Sequence, residues 1–157
     1  MNGILSWIEA SSLARMMQEV GWLFPTAEIF HFFGLSLLIG SLLVVDFRLL
    51  GFGKNIPLES VYRFLPISLI GFSINLVTGV LFIFNDPFRY YPNIAFRLKI
   101  TFIILAGLNA LYFMWHERAA SSPGKADVEP KLKIVASLSL LLWIGVIVCG
   151  RMIPYVE

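Results

Sequence analysis

The chain reads as an all-α integral membrane protein: a four-helix bundle preceded by an interfacial amphipathic helix. Three observations predict this. Of 157 residues, 58% are hydrophobic and only 14% charged, where soluble domains carry about 25% charged residues. The mean hydropathy is +0.81. Four apolar runs each approach the ~20 residues that cross a bilayer core as a helix.

The first element is a helix over 3–22. Glu9, Ser12, Arg15 and Glu19 recur at helical spacing, while Ile4, Ile8, Leu13, Met17 and Val20 fall mostly elsewhere on the wheel. That division suits a helix lying in the membrane interface. The same charges, and the lack of a basic start, argue against a signal peptide. Gly21 and Pro25 then turn the chain into the first span, 25–50. The segment GFGKNIPLES breaks that helix, and a second span follows over 62–84. NDPFRYYPN places two prolines and a tyrosine pair at an interface before the third span, 93–115. The longest connection, ERAASSPGKADVEPK, reads as a mobile polar loop before the fourth span, 132–153. No internal repeat is evident. Short connections between four spans give an up-down-up-down bundle, one domain over 1–157.

Small residues mark the expected packing faces: Ser36 and Gly40 in the first span, Gly71, Asn75, Thr78 and Gly79 in the second, and Ala106, Asn109 and Ala110 in the third. Asn75 and Asn109 suit hydrogen bonding across helices. Orientation follows from loop lysines and arginines. One side collects Arg48, Lys54, Arg63, Arg118, Lys125, Lys131 and Lys133, and the other Arg15, Arg89, Arg97, Lys99 and Arg151. The first side is expected in the cytoplasm. The protein is then a multi-pass protein of a bacterial inner membrane, with the lipid bilayer as its surroundings and both termini outside.

Several functions are disfavoured. A net charge of +2 does not suggest nucleic acid. One cysteine, Cys149, allows neither an intramolecular disulfide nor a CxxC site. No hydrolase triad, phosphate-binding glycine loop or HExxH string appears, and no catalytic constellation is recognised.

What remains is a cluster of ionisable groups inside the bundle. Such groups usually face the protein interior, pair up and mark function. His31 lies roughly 9 Å into the first span at about 1.5 Å rise per residue. Glu28, three residues earlier, shares its helix face. Lys99 lies at a similar depth in the third span, and Arg151 near the exit of the fourth, with Trp143 on the face below it. These five are the candidate cofactor-binding residues, with His31 as the candidate metal ligand. Neutral imidazole ligates haem, and cationic side chains suit haem propionates or a quinone carbonyl. The expected cofactor is therefore b-type haem or quinone, in electron transfer or sensing.

His116 is an unsuitable second haem ligand. It sits at the far end of the third span, on the order of 25 Å away along the membrane normal, where a capping or solvated role is expected. A haem would then use His31 alone, or His31 from two protomers of a dimer approaching through Ser36 and Gly40. Copper is an alternative, with Met16, Met17, Cys149 and Met152 as soft ligands near His31. A further alternative is an accessory or ion-handling subunit, whose buried charges form a structural network beside an unidentified membrane partner. Asp46 and Arg48 are expected to pair with Arg63 or with Glu117 and Arg118 as a clasp.

Four strings together resemble a widespread bacterial family of four-span membrane proteins of unknown function. They are Glu28-x-x-His31-x-x-Gly34, VVDFRLLG around Asp46 and Arg48, PNIAFRLK ending at Lys99 with Asn109 downstream, and WIGVIVCGRMIPY from Trp143 to Tyr155. The resemblance covers most of residues 22–155 and points to Glu28, His31, Asp46, Arg48, Lys99, Trp143 and Arg151. The His-x-x-Gly opening is also distantly similar to copper-resistance protein D and cytochrome b561-like membrane proteins. This chain lacks their multiple helix-borne histidines.

Overall fold

A computed structural model describes residues 2–120 and 128–156, the side chains at 2 and 117–120 excepted. Its elements are α1 (Asn2–Glu9), α2 (Ser12–Glu19), α3 (Leu23–Leu50), α4 (Leu58–Tyr62), α5 (Leu65–Asn85), α6 (Pro87–Tyr90), α7 (Ile94–Ala120), α8 (Pro130–Met152) and a 3-10 turn at Ile153–Tyr155. The described residues contain no strand. Four helical segments are long and apolar enough to cross a membrane: Leu23–Leu50, Leu58–Asn85, Ile94–His116 and Pro130–Tyr155. This is the architecture of a multi-pass membrane protein. The polar loop expected after the third span lies largely outside the described residues.

The amphipathic segment at the start is two helices rather than one. Ser11 accepts a hydrogen bond from the Ala14 amide at 3.2 Å and so caps α2, which interrupts the run from α1. Ala14 and Met17 are buried, and Gln18 donates to the Asn85 carbonyl at 2.9 Å, with α2 resting on α5.

Each long helix ends where its sequence supplies a stop. Gly51, at φ +105°, takes the left-handed position after α3. Its amide and that of Phe52 return to the last carbonyls of the helix, so the otherwise orphaned acceptors are met. Asp86 ends α5 and caps α6, accepting from the Arg89 amide at 3.1 Å. Asn93 caps α7 by accepting from the Phe96 amide at 3.0 Å. The same side chain donates to the carbonyls of Ile153 and Val156, which ties the start of α7 to the chain's last turn.

The helices pack in the order α5, α3, α8, α7, while α5 and α7 share no extensively packed face. The α3–α5 seam is the closest. A Cβ at Gly71 would stand 2.5 Å from the Leu38 nitrogen and 2.6 Å from the Gly34 carbonyl oxygen. Backbones can approach this far only where side chains are absent. The α7–α8 seam closes with the Phe102 ring over Gly145, and Asn109 donates across it to the Val135 carbonyl at 3.1 Å. Gly71 and Asn109 thus pack as their faces suggested. Gly40 and Gly79 do not: a Cβ on either meets nothing within 4 Å, and Ser36 is exposed.

Candidate functional site

The end of the bundle that carries both termini holds the ionisable cluster. His31 is half-buried on α3 and faces α5, where its Nδ1 lies 2.7 Å from Thr78 Oγ1. Thr78 is buried and its hydroxyl also lies 2.7 Å from the Ile74 carbonyl. A threonine hydroxyl has one proton. Donated to Ile74, that proton leaves Thr78 Oγ1 as an acceptor toward His31. His31 Nδ1 then carries the hydrogen, and in the neutral imidazole Nε2 carries the free lone pair. The Phe82 ring packs against the imidazole at a centroid distance of 5.1 Å, and Phe24 packs against Phe82.

Lys99 approaches from α7. Its ammonium lies against α8, 3.3 Å from where a Cβ on Gly150 would stand, so the glycine leaves room for it. It is within electrostatic reach of His31 and of Cys149. Among the described residues no carboxylate forms an ion pair with it. Ionisable groups among packed membrane helices usually pair with one another or mark a functional site.

The other candidates lie apart from this pair. Glu28 is exposed. Arg151 is exposed too, donating to the Tyr155 hydroxyl at 3.3 Å and lying over that ring. Trp143 meets Phe72 edge-on, roughly 9 Å deeper along α5 than Thr78. Helix α3 also forbids one expected arrangement. Ser36 and Gly40 lie about 140° and 180° around the helix from His31. A dimer joined through those two residues would hold its two imidazoles on far sides, each turned into its own bundle. It cannot share one haem between them.

Two more residues sit differently from expectation. Arg48 is buried and donates to the carbonyls of Ile56, at 2.7 Å, and Lys54, at 3.2 Å, so it staples the loop after α3, while Arg63 is exposed and the side chains of Glu117 and Arg118, the other expected members of the clasp, lie outside the described residues. His116 meets Glu129 at 2.8 Å and stacks on Tyr112, which links α7 to the start of α8. Thr78 was marked in the sequence only as a packing residue. Its spacing of three from Asn75 placed it on the inner face, but nothing in the sequence paired it with His31. A cavity of about 450 Å³ opens nearby between α6, the start of α7 and the last turn, lined by Phe88, Arg89, Asn93 and Ile153 among others. None of the five candidate residues lines it.

With this geometry described, the chain can be set against known proteins. The family model described as "Family of unknown function (DUF6644)" matches residues 4–156. No curated protein and no solved structure matches. The comparisons lend no support to the likeness to copper-resistance protein D or cytochrome b561.

Proposed function

We propose, for a chain that belongs to the family of unknown function DUF6644, that the His31–Thr78–Lys99 site binds a redox cofactor, b-type haem or quinone, in electron transfer or sensing. The observation that carries this is the hydrogen bond from His31 to Thr78. A ligating histidine usually donates its other ring hydrogen to a fixed acceptor, which sets the tautomer and aims the lone pair. Thr78 is such an acceptor. His31 Nε2 would ligate haem iron or accept from a quinol hydroxyl. Lys99 would neutralise a propionate or donate to a quinone carbonyl. Either cofactor supplies reversible uptake of electrons, for which the apolar side chains have no chemistry of their own. The loosely packed side between α5 and α7 offers a lipid-soluble ligand a lateral way in. The lysine and arginine bias of the loops supports a cytoplasmic membrane location with both termini outside.

A competing reading, an accessory subunit with structural charges, is favoured by Arg48 and Arg151, which both bond within their own chain. Spectroscopy separates the two. Protein purified from membranes is expected to show a Soret band that shifts on dithionite, or to release quinone into its lipid extract. His31→Ala is expected to lose that cofactor while His116→Ala keeps it. A colourless protein with neither haem iron nor quinone would remove the redox reading.

A further inference from the structure

Asp46 lies near the opposite end of the bundle from His31, four residues before α3 ends, or roughly 6 Å from that end by helical rise. Its residue is 4% exposed, so the side chain is almost wholly enclosed. The carboxyl group lies close to the buried Ser139 on α8. Its second oxygen, Oδ2, is buried with no hydrogen-bond partner among the described residues.

Among the described residues no cation balances this group. Arg48, two residues on, spends its guanidinium on the carbonyls of Ile56 and Lys54. On α4 Glu59 is exposed and Tyr62 packs against Phe113, and Arg63 just after it is exposed. On α8, Lys131 and Lys133 are exposed. Helix α5 carries no charged residue, and α7 carries none between Lys99 and His116, whose ring meets Glu129. The hydrophobic core at this end of the bundle includes Val45, Leu49, Val61, Phe113, Val135 and Ala136. An ionised carboxylate here would hold a full charge in an apolar shell with one oxygen bare, a combination that buried charges avoid by pairing or neutralising.

We propose that Asp46 is an intramembrane proton-binding site, holding one proton as a neutral acid bonded to Ser139. The geometry then closes without a cation. The acid's hydroxyl is satisfied by the serine, and the bare oxygen becomes a carbonyl oxygen, far cheaper to bury unpaired than half of a carboxylate. The site is independent of the cofactor reading: it lies on another helix seam and needs no ligand at His31. A carboxyl group that loads and unloads a proton near one membrane face is a unit of proton-coupled transfer.

Infrared spectroscopy of the full chain in nanodiscs tests this. The expected result is a carboxylic-acid carbonyl band at neutral pH, on the high-frequency side because that carbonyl accepts no hydrogen bond. It moves down in D2O and is absent from Asp46→Asn. Ser139→Ala retains the acid but removes its partner, so its band should shift; this variant decides the matter if Asp46→Asn does not fold. A difference spectrum showing only ionised carboxylate at position 46 would overturn the proposal. So would a carboxylate stretch that moves with added Na+, which would assign the site to an alkali cation. A band unchanged by Ser139→Ala would place the protonated group elsewhere and also overturn it.

Discussion

Gly71→Ala tests whether the α3–α5 seam sets the geometry of the site. The added Cβ would stand 2.5 Å from Leu38 N, 2.6 Å from Gly34 O and 3.0 Å from Leu38 Cα. Ordinary contact begins near 3.4 Å, so the methyl is about 0.9 Å too close to the first atom. All three obstacles are backbone, and no rotamer change relieves them. The helices must separate by on the order of 1 Å, and a gap of that size forfeits a quarter to a half of the local dispersion attraction. Overpacking of this kind costs about 1–3 kcal/mol, and the backbone obstacles place this case at the upper end. The separation also carries Thr78 away from His31. Starting from 2.7 Å, a shift of about 1 Å exceeds hydrogen-bonding range. Thermal unfolding in nanodiscs is the assay, with Gly79→Ala as control, since a Cβ there meets nothing within 4 Å. The control is expected to unfold at the wild-type temperature or slightly above, because alanine is the better helix former. Gly71→Ala is expected to unfold well below it and to lose whatever His31 binds. Equal stability of the two variants would refute the packing argument.

Other consequences can be checked directly. Burial holds the Tyr90 phenol above its usual 10.0, with the Arg89 guanidinium pulling the other way. The folded chain therefore keeps that proton more tightly than the unfolded one, and the associated stability is present below pH 10 and lost as pH rises through the folded value. Tyr90→Phe should flatten that alkaline loss in an unfolding series; an identical alkaline profile would count against it. Cysteines placed at Gly3 and at Lys54, in a Cys149→Ser background, should label from opposite sides of the membrane; labelling from one side would break the up-down topology. Cofactor-to-protein stoichiometry should be one per chain in any oligomer, and a value of one half would contradict the closed orientation of His31.

The fold was legible because membrane crossing leaves few choices. Runs of apolar residues near the bilayer's thickness, stopped by Gly51, Pro57, Pro87 and Pro92, show where the chain reverses. The site was half legible. His31 and Lys99 are brought near one another, as their similar depths implied. Glu28 and Arg151 stand apart from that pair, because depth alone does not fix rotation about a helix axis. Both are exposed, a choice made by neighbouring helices and not by local spacing. Arg48 illustrates another gap. Its partners are backbone carbonyls of a loop, and sequence patterns mark side chains, not carbonyls left free by a turn. Asp46 was visible as a charge in an apolar run, but its want of a counter-charge among the described residues depends on where Arg48, Arg63 and Lys133 finally point.

The position of His31 bears on assembly as well as on chemistry. An imidazole committed to Thr78 through Nδ1 has its orientation set by a buried residue of the same chain. The ammonium of Lys99 is set likewise by the space that Gly150 leaves. Both poles are thus positioned by packing within one bundle. The outward face of α3 carries Phe32, Ser36 and Gly40, all exposed, and is free to meet lipid or a second copy. A dimer formed there would bury a surface on the far side of α3 from the site. It would stiffen the helix that carries His31 while adding no ligand to it. Association through that face therefore bears on stability before it bears on binding.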